Sequence, residues 1–175
     1  MDMAHEFRGP FDPSPRPAGD TPIERPVRLG VDERRIHARA YRYWAALLRG
    51  RALPTIGDMN PASARGFAPH GLLLDFSADA PHPVIRSLGA ALRAECGIAE
   101  AIVSIADAPA GSLLASLPGL CRQVGANRAP ISFETECVGL RGRNSLYRGV
   151  LLPLSAGEES VDFIYGVING KERVD

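Results

Sequence analysis

Residues that could do chemistry are few and widely separated in this chain. The four histidines and three cysteines are His5, His37, His70, His82, Cys96, Cys121 and Cys137. The sequence contains no Gly-x-Ser-x-Gly, His-Glu-x-x-His or paired-cysteine motif, each of which would indicate an acyl-transfer or metal site. We therefore predict no catalytic residue, no metal site and no enzymatic activity.

Haem and flavin cofactors are also disfavoured by where these residues fall. A haem-binding sensor needs an axial ligand, most simply a histidine on a core-facing helix, and the apolar helical region 88–124 contains no histidine. Cys96 and Cys121 are not set in a polar motif of several Asn and Gln side chains of the kind that would hold a flavin ring. We expect no cofactor, and we expect buried, reduced thiols of the kind found in cytoplasmic proteins.

One enzymatic alternative stays open at this point. A curved α+β sheet of the ketosteroid-isomerase type encloses a cavity in which Asp and Tyr side chains transfer protons. Asp75, Tyr147 and Tyr165 are the candidates for those groups. The predicted order of helices and strands differs from that architecture, so a non-enzymatic function is favoured.

Charge and hydropathy argue against two classes of partner. The 20 Lys and Arg residues balance 20 Asp and Glu residues, so net charge gives no sign of nucleic acid or anionic membrane as a target. No apolar run reaches the roughly 18–20 residues that span a bilayer, and the N-terminus lacks a basic region followed by an apolar one. We expect a cytoplasmic protein that binds neither nucleic acid nor membrane.

The chain divides into three parts. Residues 1–30 contain six prolines among charged residues and are predicted to be a disordered tail. Residues 31–50 are predicted to form an amphipathic helix. Its apolar stripe consists of Ile36, Ala40, Tyr43, Trp44 and Leu47. Residues 51–175 are predicted to form one folded domain.

Five strands are predicted within that domain, at 71–76, 83–88, 131–137, 148–154 and 161–168. The first two are separated by a turn-rich interval, as in a hairpin. The last two are apolar on both faces and must therefore be covered on both sides. Helices are predicted between the second and third strands. One of them begins at Ser112 or Ser116, and a cap at Ser116 places Pro118 in the first turn, where proline is tolerated.

Several short sequence blocks accompany this order of elements. They are Tyr43-Trp44, Arg51, Leu53-Pro54, Asp58-Met59-Asn60-Pro61, Leu72-Leu73-Leu74-Asp75, Ile85-Arg86-Ser87-Leu88-Gly89, Arg128-Ala129-Pro130-Ile131, Tyr147-Arg148-Gly149 and Asp162-Phe163-Ile164-Tyr165-Gly166-Val167-Ile168-Asn169. Together they resemble a PAS-like family widespread in alphaproteobacteria. The resemblance implies an α+β fold with a curved five-stranded antiparallel sheet, helices on one face and the N-terminal helix on the other. It also implies a sensory or protein-interaction module without chemistry of its own.

Two candidate sites follow. An apolar ligand between sheet and helices would be lined by a set of residues that could equally form a solid core. That set is Leu92, Cys96, Leu117, Cys121, Phe133 and Leu152.

The apolar stripe of residues 31–50 is the candidate interface. It is expected to cover the outer face of the sheet, within one chain or across a two-fold dimer, with Trp44 as anchor. That outer face is expected to present some of Leu151, Ile164 and Ile168. The favoured function is a homodimeric signalling or regulatory module with a protein partner, with a small ligand as a candidate modulator, and a small-molecule sensor is the alternative.

Overall fold

Along the described part of this chain, one helix is followed by two strands, two helices and three strands. The computed structural model describes residues 31–78, 81–98, 103–138, 142–157 and 159–173. The predicted disordered tail lies outside the described residues. The elements are α1 (Val31–Leu47), β1 (Gly71–Asp75), β2 (Val84–Leu88), α2 (Ala90–Cys96), α3 (Leu113–Asn127), β3 (Ile131–Val138), β4 (Asn144–Leu154) and β5 (Phe163–Glu172). Short 3-10 helices span Ile56–Asp58, Ala68–His70 and Ile105–Asp107.

The five strands form one open antiparallel sheet in the order β2-β1-β5-β4-β3. β1 and β2 pair as the predicted hairpin, and β5 lies between β1 and β4. β4 and β5 form the longest ladder, from Ser145↔Glu172 to Leu154↔Phe163. The predicted α+β fold with a five-stranded antiparallel sheet is therefore confirmed, and the strand order is compatible with a PAS-like fold.

We define the inner face of the sheet as the face that packs against α2 and α3. Side chains at alternate positions of the strands meet leucines of both helices in one core cluster. Its largest fully buried members are Leu72, Leu74, Leu92, Leu113, Leu114, Leu117, Val124, Leu151, Ile164 and Ile168. Full burial of such a side chain contributes about 1.5–3 kcal/mol, so the inner face holds the main hydrophobic core.

The opposite face, which we define as the outer face, packs against α1 of the same chain. Trp44 and Ala40 of α1 are buried against it, together with residues from the connection between α1 and β1. The sheet contributes Val150, Leu152, Leu154, Tyr165 and Val167. Helices thus lie on both sides of β4 and β5, which explains why these two strands are apolar at consecutive positions.

Two predictions about which face a residue occupies are wrong. Some of Leu151, Ile164 and Ile168 were expected on the outer face, but all three lie on the inner face. Leu152 was expected among the residues of an inner pocket and packs on the outer face. Successive side chains of a strand point to opposite faces, but a run that is apolar at every position does not indicate which alternate set faces which side.

α3 begins before the position that would place Pro118 in its first turn. Ser112 is the N-cap, and its hydroxyl accepts a hydrogen bond from the Ala115 amide at 3.3 Å. Pro118 therefore lies inside the helix, where it cannot donate to the Leu114 carbonyl. Leu113 and Leu114 are at most 2% exposed, and the burial of these two side chains offsets the lost hydrogen bond. The alternative start at the second serine is wrong.

Candidate functional site

Five of the six predicted pocket residues pack together in the inner core. They are Leu92, Cys96, Leu117, Cys121 and Phe133. The sixth, Leu152, packs on the outer face, so the predicted set does not line a single pocket. Leu92 and Leu117 are fully buried, and both contribute to the hydrophobic core between the sheet and its helices.

The three cysteines are free thiols. Burial raises the pKa of Cys121 to about 12. Burial, with a smaller contribution from the charge of Glu95, also raises the pKa of Cys96 to about 12. The reactive form of cysteine is the thiolate, and these pKa values keep both thiols protonated at neutral pH. Within the described ranges, no group of three or more His, Cys, Asp or Glu side chains could hold a metal ion.

Asp75, a candidate of the enzymatic alternative, is 2% exposed at the end of β1. One of its carboxylate oxygens accepts hydrogen bonds from the Ser77 amide at 2.8 Å and the Ser77 hydroxyl at 2.6 Å. The other oxygen pairs with the Arg86 guanidinium at 2.6 Å. Burial acts to raise the pKa of Asp75, but the hydrogen bonds from Ser77 and Arg86 outweigh it, and the pKa is lowered. Asp75 is thus an ionised group that ties β1 to β2.

The two tyrosines of the same alternative lie on opposite faces of the sheet. Tyr147 belongs to the inner core, where its hydroxyl donates to the Glu95 carbonyl at 3.2 Å. Tyr165 packs on the outer face, with its ring centroid 6.2 Å from that of Phe67. Burial raises the pKa of Tyr147, and it raises the pKa of Tyr165 to about 12. The two phenols therefore do not share a cavity, as an isomerase of this kind would require.

The predicted interface stripe of α1 lies against the sheet of its own chain. Ala40 and Trp44 are buried, and Ile36, Tyr43 and Leu47 are half-buried. Trp44 is 6% exposed and donates a hydrogen bond from its indole nitrogen to the Pro153 carbonyl at 2.7 Å. A void of about 10 Å³ is left under α1, roughly the space of one water molecule. Trp44 is the central contact of this interface.

Polar side chains underlie α1 at the other end of its interface. We define the polar belt as Glu134, Arg148 and Asn169, which are paired in register across β3, β4 and β5, together with His37 of α1. Arg148 forms an ion pair with Glu134 at 2.6 Å. Nε2 of His37 and Oδ1 of Asn169 are buried without a well-aligned hydrogen bond to any described residue. The polar belt therefore attaches this part of α1 less firmly than Trp44 attaches the other.

The environment of His37 lowers its pKa. Burial lowers the pKa of His37, and electrostatic interactions with His70 and Arg148 lower it further. A polar contact with Asn169 acts in the opposite direction and does not cancel these effects. His37 is therefore held neutral under α1 at neutral pH.

An open cleft lies on the outer face over β1 and β2, beside the connection that follows α1. Its volume is about 400 Å³. Its walls come from residues between 56 and 68, from Leu73 of β1, from residues 87–89 at the end of β2, and from Tyr165 of β5. The sequence did not predict this site, because its walls come from segments spread between residues 56 and 165 and no segment carries a recognisable binding motif.

Hydrogen bonds fix one wall of the cleft. A carboxylate oxygen of Asp58 accepts from the Thr55 amide at 2.8 Å and from Arg51 at 2.7 Å. The bond from the Thr55 backbone, followed by that from Arg51, lowers the pKa of Asp58 to about 2. The Ile56 amide donates to the Ser155 carbonyl at 2.8 Å and attaches this wall to the end of β4. Hydrogen bonds therefore hold this wall of the cleft in place.

Comparison with protein-family models and with curated proteins finds no match for this chain. Among the described residues, no helix is both long enough and apolar enough to cross a membrane. The fold therefore defines the class of protein. It is an α+β domain with an open five-stranded antiparallel sheet that has helices packed on both faces.

Proposed function

We propose that this chain is a PAS-like regulatory module that acts through protein contacts and catalyses no reaction. The proposal is supported by the strand order and by the helical crossing between β2 and β3 on the inner face. The observation that carries it is the position of α1, which covers the outer face of a sheet whose main core is complete without it. An element of that kind can transmit a contact while the rest of the domain stays folded.

The interface beneath α1 is suited to movement. It contains a void and the incompletely satisfied polar belt, whereas the inner face has a continuous apolar core. Elements with weaker interfaces open at lower free energy than the core does. Release of α1 would expose Val150, Leu152 and Leu154, which form an apolar surface that a partner protein can cover. We infer that seating and release of α1 is the regulated event.

Two partners are expected: a second copy of this chain binds while α1 is seated, and a signalling protein binds the surface that release of α1 exposes. A two-fold contact brings the same patch of both copies together, and the N-terminal helices of PAS-like modules commonly take part in such contacts. The side of α1 turned away from the sheet exposes Ala38, Arg39, Arg42 and Ala46, which a second copy can reach. The free thiols and the balanced charge fit a cytoplasmic location.

The positions of the candidate catalytic groups favour this function over the isomerase alternative. Asp75 is held in an ion pair, and Tyr147 and Tyr165 occupy opposite faces of the sheet. We expect no turnover of esters, phosphoesters or nucleotides. An activity that Asp75→Asn or Tyr165→Phe abolishes, with the fold retained by circular dichroism, would contradict the proposal.

Light scattering and native mass spectrometry of the full chain test the regulatory proposal. We expect a homodimer that Trp44→Ala converts toward monomer, because this change unseats α1. Leu117→Ala is the matched control, since it truncates a buried side chain on the inner face and should leave the dimer intact. A wild-type chain that is monomeric at every concentration, or a dimer that both variants preserve equally, would overturn the role of α1.

A further inference from the structure

The cleft beside α1 has the size and the lining of a small-molecule site. Its volume of about 400 Å³ falls within the range of about 300–1,000 Å³ that is typical of ligand pockets. Every residue of its lining is uncharged, and Asn60, Ser87 and Tyr165 supply the polar side chains among apolar neighbours. An ionic ligand would lose hydration there without gaining a counter-charge. The lining thus selects for an uncharged molecule.

Tyr165 supplies a polar group to the lining of the cleft. The residue is 7% exposed and lines the cleft. Its hydroxyl makes no hydrogen bond to any residue that the structure describes. Because burial raises the pKa of Tyr165 to about 12, the hydroxyl stays protonated and can donate.

Two glycines make room for this arrangement. A Cβ atom at Gly71 would collide with the Tyr165 hydroxyl, and a Cβ atom at Gly89 would collide with the carbonyl oxygens of Ala68 and Pro69. Both glycines border the cleft. The backbone at this edge of the sheet therefore keeps the phenol hydroxyl next to the open volume instead of covering it with a side chain.

We propose that this cleft binds an uncharged, largely apolar small molecule whose carbonyl oxygen accepts a hydrogen bond from the Tyr165 hydroxyl. The phenol would orient the ligand, and the apolar walls at Leu73 and Met59 would supply contact area. The site lies on the outer face, apart from the inner core in which the sequence placed its candidate pocket. This inference goes beyond the regulatory proposal and can be tested separately from it. A monomeric chain that binds such a ligand would support the binding site and contradict the dimer.

Titration with Prodan tests the site, since this uncharged naphthalene dye carries a ketone whose emission shifts to longer wavelength when the ketone accepts a hydrogen bond. We expect saturable binding of one dye per chain. Tyr165→Phe should weaken binding about threefold to tenfold, the effect of losing one hydrogen bond, and should move the bound emission to shorter wavelength. Ser87→Trp, which places a large side chain at an exposed position of the lining, should abolish binding.

Ser132→Trp is the matched control, since Ser132 is exposed on the opposite edge strand β3, outside the lining. It should leave dye affinity unchanged, and circular dichroism should show that all variants are folded. The proposal fails if the dye does not saturate, or if Ser87→Trp binds as the wild type does. It also fails if Tyr165→Phe changes neither affinity nor emission. Affinity that weakens as protein concentration rises would assign the cleft to a second copy and would equally overturn it.

Discussion

The two faces of the sheet are built differently, although β4 and β5 serve both. The inner face packs leucines and valine from α3 against fully buried strand residues, and the thiols of Cys96 and Cys121 there are protonated and unreactive. The outer face is held by one helix that is anchored through the Trp44 indole, and it includes the polar belt, a small void and an open cleft. The inner face has the composition of a folding core. The outer face combines apolar contact with unsatisfied polar groups.

This difference shows where the chain can change state. Close-packed apolar cores tolerate little displacement, so the inner face is suited to fix the sheet and the positions of its strands. Incompletely hydrogen-bonded polar groups and unfilled space are costly in a static structure. They cost less if the surface that contains them binds a ligand or a partner. The outer face is therefore where regulation and recognition are expected.

Removal of the anchor of α1 should have the largest effect. We expect Trp44→Ala to lower the free energy of unfolding by about 3–5 kcal/mol, the range for a buried Trp truncated to Ala. Trp44→Phe keeps most of the apolar contact but cannot donate to the Pro153 carbonyl, and should cost clearly less. Urea denaturation measures both. If the two variants lose equal stability, the hydrogen bond to the Pro153 carbonyl holds α1 and the apolar contact of the ring contributes nothing.

A truncation on the inner face should cost a similar or slightly smaller amount but affect a different part of the molecule. Leu117 is fully buried, so Leu117→Ala should cost about 2–5 kcal/mol. Because Trp44 is the only tryptophan, its fluorescence reports on the outer face alone and should be unchanged in this variant below the unfolding transition. A shifted native spectrum would show that the two faces are coupled, which would contradict their independence.

Loss of the buried carboxylate at the hairpin should have a smaller effect. Asp75→Asn removes the charge that pairs with Arg86 and weakens the bonds from Ser77. We expect a loss of about 1–3 kcal/mol, with little from the ion pair itself because Arg86 is half-exposed. Thermal unfolding of the variant and of Asp107→Asn, an exposed control, measures the difference. Equal stability of the two variants would make Asp75 dispensable.

The smallest effect should be a dependence on pH that arises at the polar belt. Burial lowers the pKa of His37 from its ordinary value of 6.5. Just below that pH the unfolded chain therefore holds more protons than the folded chain, so stability is fully present above about pH 6.5 and falls as the pH drops through this value. His37→Gln should flatten this slope. His82→Gln, at an exposed site, should not. An unchanged slope in His37→Gln would show that His37 does not cause the pH dependence of stability.

The strands could be predicted from the sequence because their signals are local. β3 alternates along its length, and the β1–β2 hairpin is marked by a turn-rich interval between two apolar runs. The face that each residue of β4 occupies could not be predicted, since the run from Val150 to Leu154 is buried throughout and gives no alternation. Only pairing with β3 and β5 determines that Leu151 faces inward and Leu152 outward.

The candidate sites depend on long-range pairing and were harder to predict. The apolar stripe of α1 was visible at helical spacing, and Trp44 is buried as expected for an anchor. By contrast, His37 meets Arg148 and Asn169 only because β4 and β5 pair beneath α1. The cleft likewise needs Leu73, Ser87 and Tyr165 to be neighbours across three strands. No spacing within the sequence encodes either arrangement.

Amide hydrogen exchange of the wild-type chain at neutral pH tests the central claim most directly, because it measures the opening free energy of each face in the same sample. We predict that the amides of α1 exchange through a local opening of distinctly lower free energy than those of α3 and of β4 and β5, which should exchange only on global unfolding. If the amides of α1 are protected to the same extent as those of α3, the two faces open together. α1 would then be a fixed part of the core and not a regulatory element.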